Sequence, residues 1–254
     1  MIDTVNTPHT AHPLSDAQRC EALCQAQHHA ERLFERVLEL NLVRAGQSER
    51  TISDAILELA TQEFGTRRFW HKRIVRSGPN TLHPYKENPP DRTLLEDDIV
   101  FLDFGPVFEQ WEADLGIALV LGQDARKHQL VADTHAAWKQ ASAYYQAHPT
   151  LTGAELYAYC QQLATHYGWV YGGPYAGHLV GEFPHEKILG DDIPNYIHPN
   201  NHAPMNTPDA NGQQRFWILE MHFVDTTQQI GAFIEKGLNF GVFTPAMRGV
   251  ESVS

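Results

Sequence analysis

The sequence predicts an α+β domain in which helices pack on one side of a mainly antiparallel sheet. Two observations support this fold class. The predicted elements come in blocks, in the order helices, strands, helices, strands, and the strand blocks are short apolar runs separated by turn residues. With 254 residues, 42% of them hydrophobic, the chain can bury one substantial core.

Apolar residues at helical spacing predict four helices. In chain order they cover residues 15–42, 53–65, 124–146 and 152–167. The hydroxyl of Ser53 can cap the first turn of the second helix, and Gly168 can close the fourth. Two helices therefore precede the first strand.

Runs rich in β-branched and aromatic residues predict the strands. In chain order they cover residues 69–75, 99–104, 107–113, 117–121, 217–224 and 230–243. Gly105 and Pro106 separate the second run from the third. This spacing predicts a hairpin or meander that carries acidic residues.

We expect three segments along the chain. They are a flexible polar tail (1–15), a helical lead-in (16–50) and the main domain (51–254). The tail lacks the basic and apolar regions of a secretory signal. The loop at 190–212 is long for a compact domain, which suggests the hypothesis of a lid or rim over a site.

The charge balance and hydropathy pattern exclude two classes of partner. Nineteen Lys and Arg against 31 Asp and Glu give a net charge of -12, which is opposite to that of a nucleic-acid binder. The chain has no run of about 18 apolar residues, the length that a membrane span requires. We therefore expect neither nucleic acid nor a membrane as a partner.

The three cysteines are too few for a disulfide framework, which favours a reducing compartment. Cys20 and Cys24 share a helix face, where ordinary packing is favoured over a metal or redox pair. The sequence therefore predicts a cytoplasmic protein, and a homodimer stays open.

Two aspartates stand out against their apolar surroundings. Asp103 lies inside the run IVFLDFG, where a buried acid is costly unless it is paired or bound to a metal. Asp114 follows 11 residues later, after turn residues that let the chain double back. Carboxylates placed together repel each other unless cations lie between them. Taken singly, Asp103 can instead end a strand, and Asp114 can lie in a solvated loop.

Three further segments carry residues of the same kind. His178 and His185 lie among glycines in GGPYAGHLVGEFPHE, and a neutral imidazole is a frequent metal ligand, although a lone histidine is more often structural. Glu220 and Glu235 lie in the apolar runs FWILEMHF and IGAFIEKGLNF. Packing alone does not account for four such acids. Oxygen-rich ligation with one nitrogen suits two divalent cations about 3.5–4 Å apart.

These residues, in this order, resemble the pita-bread metallopeptidases, which include methionine aminopeptidase, aminopeptidase P, prolidase and creatinase. That family has an Asp pair 11 residues apart, a GHxxG…HE segment and two separated glutamates. Here the matching segments are FLDFGPVFEQWEAD, GHLVG, PHE and the two glutamate runs. The resemblance implies a curved, mainly antiparallel sheet with helices on its outer face. It also implies a short form, without the N-terminal domain of the creatinase type.

The resemblance implies a ligand set for two divalent ions, with Mn, Co, Zn and Fe all open. Asp103 would chelate one ion, His178 and Glu220 would hold the other, and Asp114 and Glu235 would bridge both. Glu220 would also be the general base, which takes a proton from a water or hydroxide held between the ions.

The same resemblance implies that two histidines, His185 and His83, contact substrate. The chain departs from the family pattern close to the ligands. Leu115 and the residues after it replace the usual Thr or Arg, Met221 replaces a common Pro, and Phe233 stands where a polar residue is common.

Three functions follow as hypotheses. The first is an aminopeptidase or dipeptidase, of the Xaa-Pro type among others, acting on small peptides. The second is a creatinase-like hydrolase or lyase for a small metabolite, which is suggested by Glu182 as a contact for a cationic group. The third is a pita-bread module that binds proteins without a metal. The complete ligand set favours the first two.

Overall fold

The computed structural model describes residues 14–83, 85–184 and 193–240. Its helices and strands, in chain order, are α1 Asp16–Glu39, α2 Glu49–Phe64, β1 Ile74–Ser77, β2 Ile99–Phe104, β3 Val107–Phe108, β4 Trp111–Glu112, β5 Leu115–Val120, α3 Ala125–Ala147, α4 Gly153–Tyr167, β6 Val170–Tyr171, β7 Leu179–Val180, β8 Phe216–Asp225 and β9 Ile230–Gly237. Among these residues, none of the helices is both long enough and apolar enough to cross a membrane.

An antiparallel sheet organises the described residues. Its strand order is β1-β2-β5-β9-β8-β6, with β7 also paired to β8, while β3 and β4 form a small separate hairpin. β2 pairs along its length with β5, and β8 pairs along its length with β9. These two long pairs meet where Gly116 of β5 faces Glu235 of β9.

The α-helices of the described segments pack on one face of this sheet. Phe34 of α1 makes an edge contact with Phe104 of β2, with ring centroids 5.9 Å apart. Trp138 of α3 reaches β8 and donates to the carbonyl of Leu219 at 2.8 Å. Side chains alternate along a strand, so the residues between those in the helix-facing core point to the opposite face. The predicted α+β class, with helices on one side, is confirmed.

The helix ends follow local capping chemistry in most places. Ser15 caps α1 in a capping box, and Thr152 and Gly168 bound α4 as predicted. The predicted start of α2 at Ser53 is wrong. Ser48 caps this helix by accepting a hydrogen bond from the amide of Thr51. The earlier start is favoured because the Glu49 side chain is then held by donors from the segment after β1.

Three of the predicted strands differ from the observed structure, and β6 and β7 lie in none of the predicted runs. The predicted strand at 69–75 begins only at Ile74, because Trp70 and the residue after it turn towards the loop that ends at Ala113. The predicted strand at 107–113 is instead a tight hairpin, whose reversal is marked by the positive φ of 55° at Glu109. β9 ends at Gly237, and the last residues of the predicted 230–243 strand, 241–243, lie outside the described residues.

Candidate metal centre

A row of acidic side chains crosses the sheet on the face opposite the helices. Asp103 of β2 pairs with Gly116 of β5, Gly116 pairs with Glu235 of β9, and Glu235 pairs with Glu220 of β8. Residues directly opposed on antiparallel strands project on the same face. The register therefore brings together three acids that are far apart in sequence, with a glycine in the row between the first and the second.

Asp114 is placed beside this row by the residue before it. The amide of Ala113 donates to the carbonyl of Pro106 at 2.9 Å, and the Ala113 carbonyl accepts from the indole N–H of Trp70 at 3.0 Å. The Asp114 side chain is only 1% exposed. The two hydrogen bonds of Ala113 thus fix the buried carboxylate that follows it at the entrance to β5.

His178 is held at the opposite side by a close approach of two backbones. Gly177 has a φ of 136°, and a Cβ there would lie 2.0 Å from the carbonyl oxygen of Ile218. Any larger residue would push the two segments apart. The carbonyl of His178 accepts from the amide of Ile218 at 2.8 Å, which fixes the imidazole beside β8.

The ligand-type atoms form two groups that share Asp114. His178 Nε2 lies 3.4 Å from Asp114 Oδ2 and 3.4 Å from Glu235 Oε1. On the other side, His71 Nε2 lies 3.1 Å from Asp114 Oδ1 and 3.6 Å from Asp103 Oδ1. Within each group the ligand atoms lie within 4.8 Å of one another. Each group has the size of a site for one cation.

Burial leaves part of this oxygen-rich cluster without hydrogen bonds. Asp103 is 7% exposed and Glu235 is 3% exposed. Within residues 14–83, 85–184 and 193–240, Asp103 Oδ1 and Glu220 Oε1 are buried and have no hydrogen-bond partner. Unsatisfied buried carboxylate oxygens are costly, and divalent cations bound by oxygen and imidazole ligands would satisfy them. These residues therefore fit a divalent metal site.

The electrostatics of the metal-free protein show how strongly the acids are crowded. Burial raises the pKa of Asp103 to about 6 and the pKa of Glu220 to about 8. Burial, followed by the charge of Asp114, raises the pKa of Glu235 well above its ordinary value. Without a cation, this cluster holds protons at pH values where exposed carboxylates are ionised.

The two imidazoles carry the compensating positive charge. Burial acts to lower the pKa of His71, but Asp114 and Asp103 outweigh it and raise the pKa to about 9. His178 is raised well above its ordinary pKa in the same way, against its burial, by Asp114 and Glu235. Burial acts to raise the pKa of Asp114, but the two imidazoles lower it. A bound cation would replace these protons.

The remaining predicted site residues fall elsewhere. His83 follows the short 3₁₀ helix Gly78–Leu82, its side chain is 39% exposed, and its Nδ1 lies 2.6 Å from Glu87 Oε2. Its contact with substrate stays a prediction. His185 lies outside the described residues.

His71 was missed from the sequence. The run FWHKRIV is rich in aromatic and β-branched residues, a composition that predicts a strand and does not single out the histidine. The one available signal was a histidine next to Trp70, at a point where the apolar pattern begins.

A row of rings lies beside the acids on the same face. Phe101 of β2 and His222 of β8 are each two residues from an acid of the row, and Phe233 of β9 lies between them. The ring centroid of Phe233 is 5.3 Å from that of Phe101 and 6.1 Å from that of His222. Burial lowers the pKa of His222 to about 4, so this ring is neutral at pH 7. The acids are thus bordered by an uncharged aromatic wall.

The described part of the long loop at 190–212 runs past the site. Tyr196 forms a backbone bridge with His178, and its ring centroid lies 5.1 Å from that of Tyr175. The side chain of Asn201 donates to the backbone carbonyl of Tyr196 at 2.8 Å. The backbone carbonyl of Asn201 accepts from the amide of Ala154 in the first turn of α4. The loop therefore forms a docked rim on this side of the cluster.

Comparisons with known proteins identify the family of the chain. Residues 21–235 match metallopeptidase family M24. The chain belongs to that family. A methionine aminopeptidase of Mycoplasma capricolum is 30% identical over 114 residues, which are 44% of this chain and 43% of that protein. A Xaa-Pro dipeptidase of Lactobacillus helveticus is 25% identical over 171 residues, 65% of this chain and 45% of that protein. The chain thus matches less than half the length of either relative.

A solved structure shows the same fold. The X-Pro aminopeptidase of Thermotoga maritima superposes with a TM-score of 0.70 at 22% identity, over 88% of this chain and 58% of that one. The pita-bread fold implied by the sequence resemblance is confirmed.

Proposed function

We propose that this chain is a dinuclear metal-dependent peptidase that releases the N-terminal residue of small peptides, including Xaa-Pro substrates. Membership of metallopeptidase family M24 supports the class. The names of the two relatives, a methionine aminopeptidase and a Xaa-Pro dipeptidase, support this kind of substrate. The single observation that carries the proposal is the buried acid cluster in which Asp103 Oδ1 and Glu220 Oε1 lack hydrogen-bond partners among the described residues.

The residues that would hold the cations are Asp103, Asp114, His178, Glu220 and Glu235. When bound, divalent cations supply Lewis-acid chemistry, which lowers the pKa of water and polarises the carbonyl of the scissile bond. The surrounding burial excludes other water from the reaction and strengthens each charge interaction.

Glu220 is the residue that we propose to move protons. Its Oε1 has no competing hydrogen bond within the described residues. Glu220 would take a proton from the attacking water and deliver it to the leaving amine.

The aromatic row is the candidate binding surface for substrate. Phe101, Phe233 and His222 present uncharged rings directly beside the acids. Such a surface favours an apolar or proline side chain over a charged one.

The test is a peptide panel with the protein first treated with a chelator and then reloaded with Mn²⁺ or Co²⁺. The panel contains Xaa-Pro dipeptides and longer peptides that begin with Met, and released amino acids are quantified. We expect hydrolysis that requires added metal. Glu220→Gln should lose activity by roughly 10³-fold. Glu96→Gln, an exposed acid outside the site, is the matched control and should keep it. A metal-loaded protein that cleaves no peptide of the panel overturns the proposal.

A further inference from the structure

The structure assigns to His71 the role of a sixth metal ligand, so that each of two cations bridged by Asp114 has one imidazole of its own. This inference rests on the proposed function, since it requires that the acid cluster binds two metal ions. The resemblance to the family supplies one histidine ligand, His178. His71 precedes β1 and belongs to no motif of that resemblance.

The first argument is that two imidazoles contact the two oxygens of one carboxylate. His71 Nε2 lies 3.1 Å from Asp114 Oδ1, and His178 Nε2 lies 3.4 Å from Asp114 Oδ2. A bridging carboxylate gives one oxygen to each metal ion. Asp114 therefore has its two oxygens distributed as a bridge requires, with a nitrogen ligand on each side.

The second argument concerns the tautomers of the two rings. His71 Nδ1 lies 2.8 Å from the carbonyl oxygen of Lys72, and His178 Nδ1 lies 2.8 Å from the carbonyl oxygen of Leu179. A carbonyl only accepts, so each Nδ1 carries a hydrogen and each Nε2 is the nitrogen left for a metal. A metal-ligating histidine almost always donates its other N–H in this way. In both rings the acceptor is the carbonyl of the next residue.

The third argument is the completeness of each group. On one side, the third ligand is Asp103 Oδ1, 3.6 Å from His71 Nε2 and without a hydrogen-bond partner in the described part of the chain. On the other side, it is Glu235 Oε1, 3.4 Å from His178 Nε2. Ligand atoms at about 2.1 Å from one ion, at near-octahedral or tetrahedral angles, lie roughly 3.0–3.4 Å from each other. The observed separations are close to that range.

The fourth argument is that the fold is shaped to hold the His71 ring. Its side chain is 7% exposed, against 11% for His178. A Cβ at position 105 would lie 2.2 Å from His71 Cδ2 and 2.4 Å from Trp70 Nε1, so Gly105 leaves the space that both rings occupy. The Trp70 indole is fixed in turn by the carbonyl of Ala113, next to the shared aspartate.

The competing role for His71 is a protonated ion-pair partner that neutralises the aspartates without binding a metal. Both roles explain a destabilised or inactive variant, so activity does not separate them. They differ in the number of imidazoles bound to metal. Two coordinated imidazoles follow from the proposal, and one follows from the ion-pair role.

The experiment counts coordinated histidines in the intact chain loaded with Co²⁺, by proton NMR. Each coordinated imidazole gives one strongly shifted, solvent-exchangeable N–H resonance, and the two Nδ1–H groups here are protected by carbonyls. We expect two such resonances in the wild type. His71→Gln should lose one and His178→Gln the other. His128→Gln, which alters an exposed histidine that also faces a carbonyl, should keep both.

A single imidazole resonance in the wild-type spectrum overturns the role of His71, so that outcome does not depend on whether a variant folds, while the loss of one of two resonances in His71→Gln assigns it to this ring. A wild type that binds two Co²⁺ ions and cleaves peptides but shows one imidazole resonance overturns the role of His71 and leaves the proposed function intact. A wild type that binds no Co²⁺ overturns both. Metal analysis gives a parallel readout: His71→Gln should fall from two bound ions per chain towards one at the Co²⁺ concentration that saturates the wild type.

Discussion

Two regions of this molecule bury carboxylates, and they differ in whether hydrogen-bond donors surround the buried oxygens. At the start of α2, Glu49 Oε1 accepts from the amide of Ser77 at 2.6 Å and from its hydroxyl at 2.8 Å, and Oε2 accepts from Asn80 at 2.9 Å. In the acid row, Asp103 is as deeply buried, yet its Oδ1 has no hydrogen bond within the described residues.

The difference teaches that burial of an acid does not by itself indicate a metal site. The Glu49 carboxylate is stabilised by donors from its own chain, so it ties α2 to the segment after β1. The acids of the row face one another, and in the described part of the chain the imidazoles of His71 and His178 lie against them. A carboxylate cluster that lacks donors is the feature that favours a metal.

The largest effect is expected at the carboxylate that both cation groups share. Asp114→Asn replaces one anionic oxygen with an amide, so the bridging charge is lost from both groups. We expect a loss of peptidase activity of roughly 10³-fold or more, together with loss of tight metal binding. Steady-state kinetics and metal analysis measure the two effects. An Asn variant that binds two ions with wild-type affinity would contradict this view of Asp114.

The next effect is expected at Glu49, the carboxylate of the other region. Glu49→Ala leaves the donors of Ser77 and Asn80 without their acceptor, and we expect the free energy of unfolding to fall by about 3 kcal/mol. Urea unfolding with and without metal should give the same loss. Asp103→Asn is the matched comparison and should lower stability only when metal is present. If the loss of unfolding free energy in Glu49→Ala depended on metal, the proposed difference between the two carboxylate regions would be wrong.

A smaller effect is the pH dependence of the metal-free protein. Between the ordinary pKa of a glutamate, 4.5, and about 8, folded Glu220 keeps a proton that the unfolded chain has lost, so stability falls as pH rises. His71 acts in the same direction: its stabilisation is complete below 6.5 and is lost as pH rises through about 9. We expect the free energy of unfolding to fall steadily from pH 5.5 to 9.

Urea unfolding across this pH range, with a chelator or with saturating metal, measures the pH effect. The metal-loaded protein should depend less on pH, because cations replace the protons. A metal-free stability that rises from pH 6 to pH 9 would mean that the acids and imidazoles do not carry the charges assigned to them.

The smallest effect is expected for an acid that is neither buried nor in the row. Glu182 is exposed, and its backbone forms a bridge with Trp111. Glu182→Gln should change kcat/KM for peptides by no more than about twofold. A specific loss of turnover of a small cationic metabolite would instead favour the creatinase-like hypothesis, so both substrate classes are assayed.

Much of the fold could be predicted because its causes are local. Ser15, Thr152 and Gly168 mark helix ends through bonds within a few residues. The start of α2 is ambiguous in the sequence, because Ser48 and Ser53 both offer a local cap, and a donor that favours the earlier start comes from Ser77, far along the chain. The tight hairpin after β2 also escaped, since its residues have the composition of a continuous strand.

The residues of the site also divide into those with a local sequence signal and those that depend on distant contacts. Acids such as Asp103 and Glu220 are visible in the sequence because they interrupt apolar strands. His71 is not, because its ring reaches Asp114 across 43 residues of chain, and nothing within its own segment distinguishes it from a packing residue. The segment around His83 likewise carries no local signal that distinguishes a substrate contact from a packing residue.

The place where β5 meets β9 has a consequence for the mechanics of the sheet. Gly116 and Glu235 join the two long strand pairs, and the ligand-type residues come from both sides of that seam. A cation bound there would link β5 to β9, two strands that are far apart in the sequence. Amide hydrogen exchange in β5 and β9 should therefore slow on metal loading more than exchange in the middle of α1, so that filling the site also changes how the molecule opens.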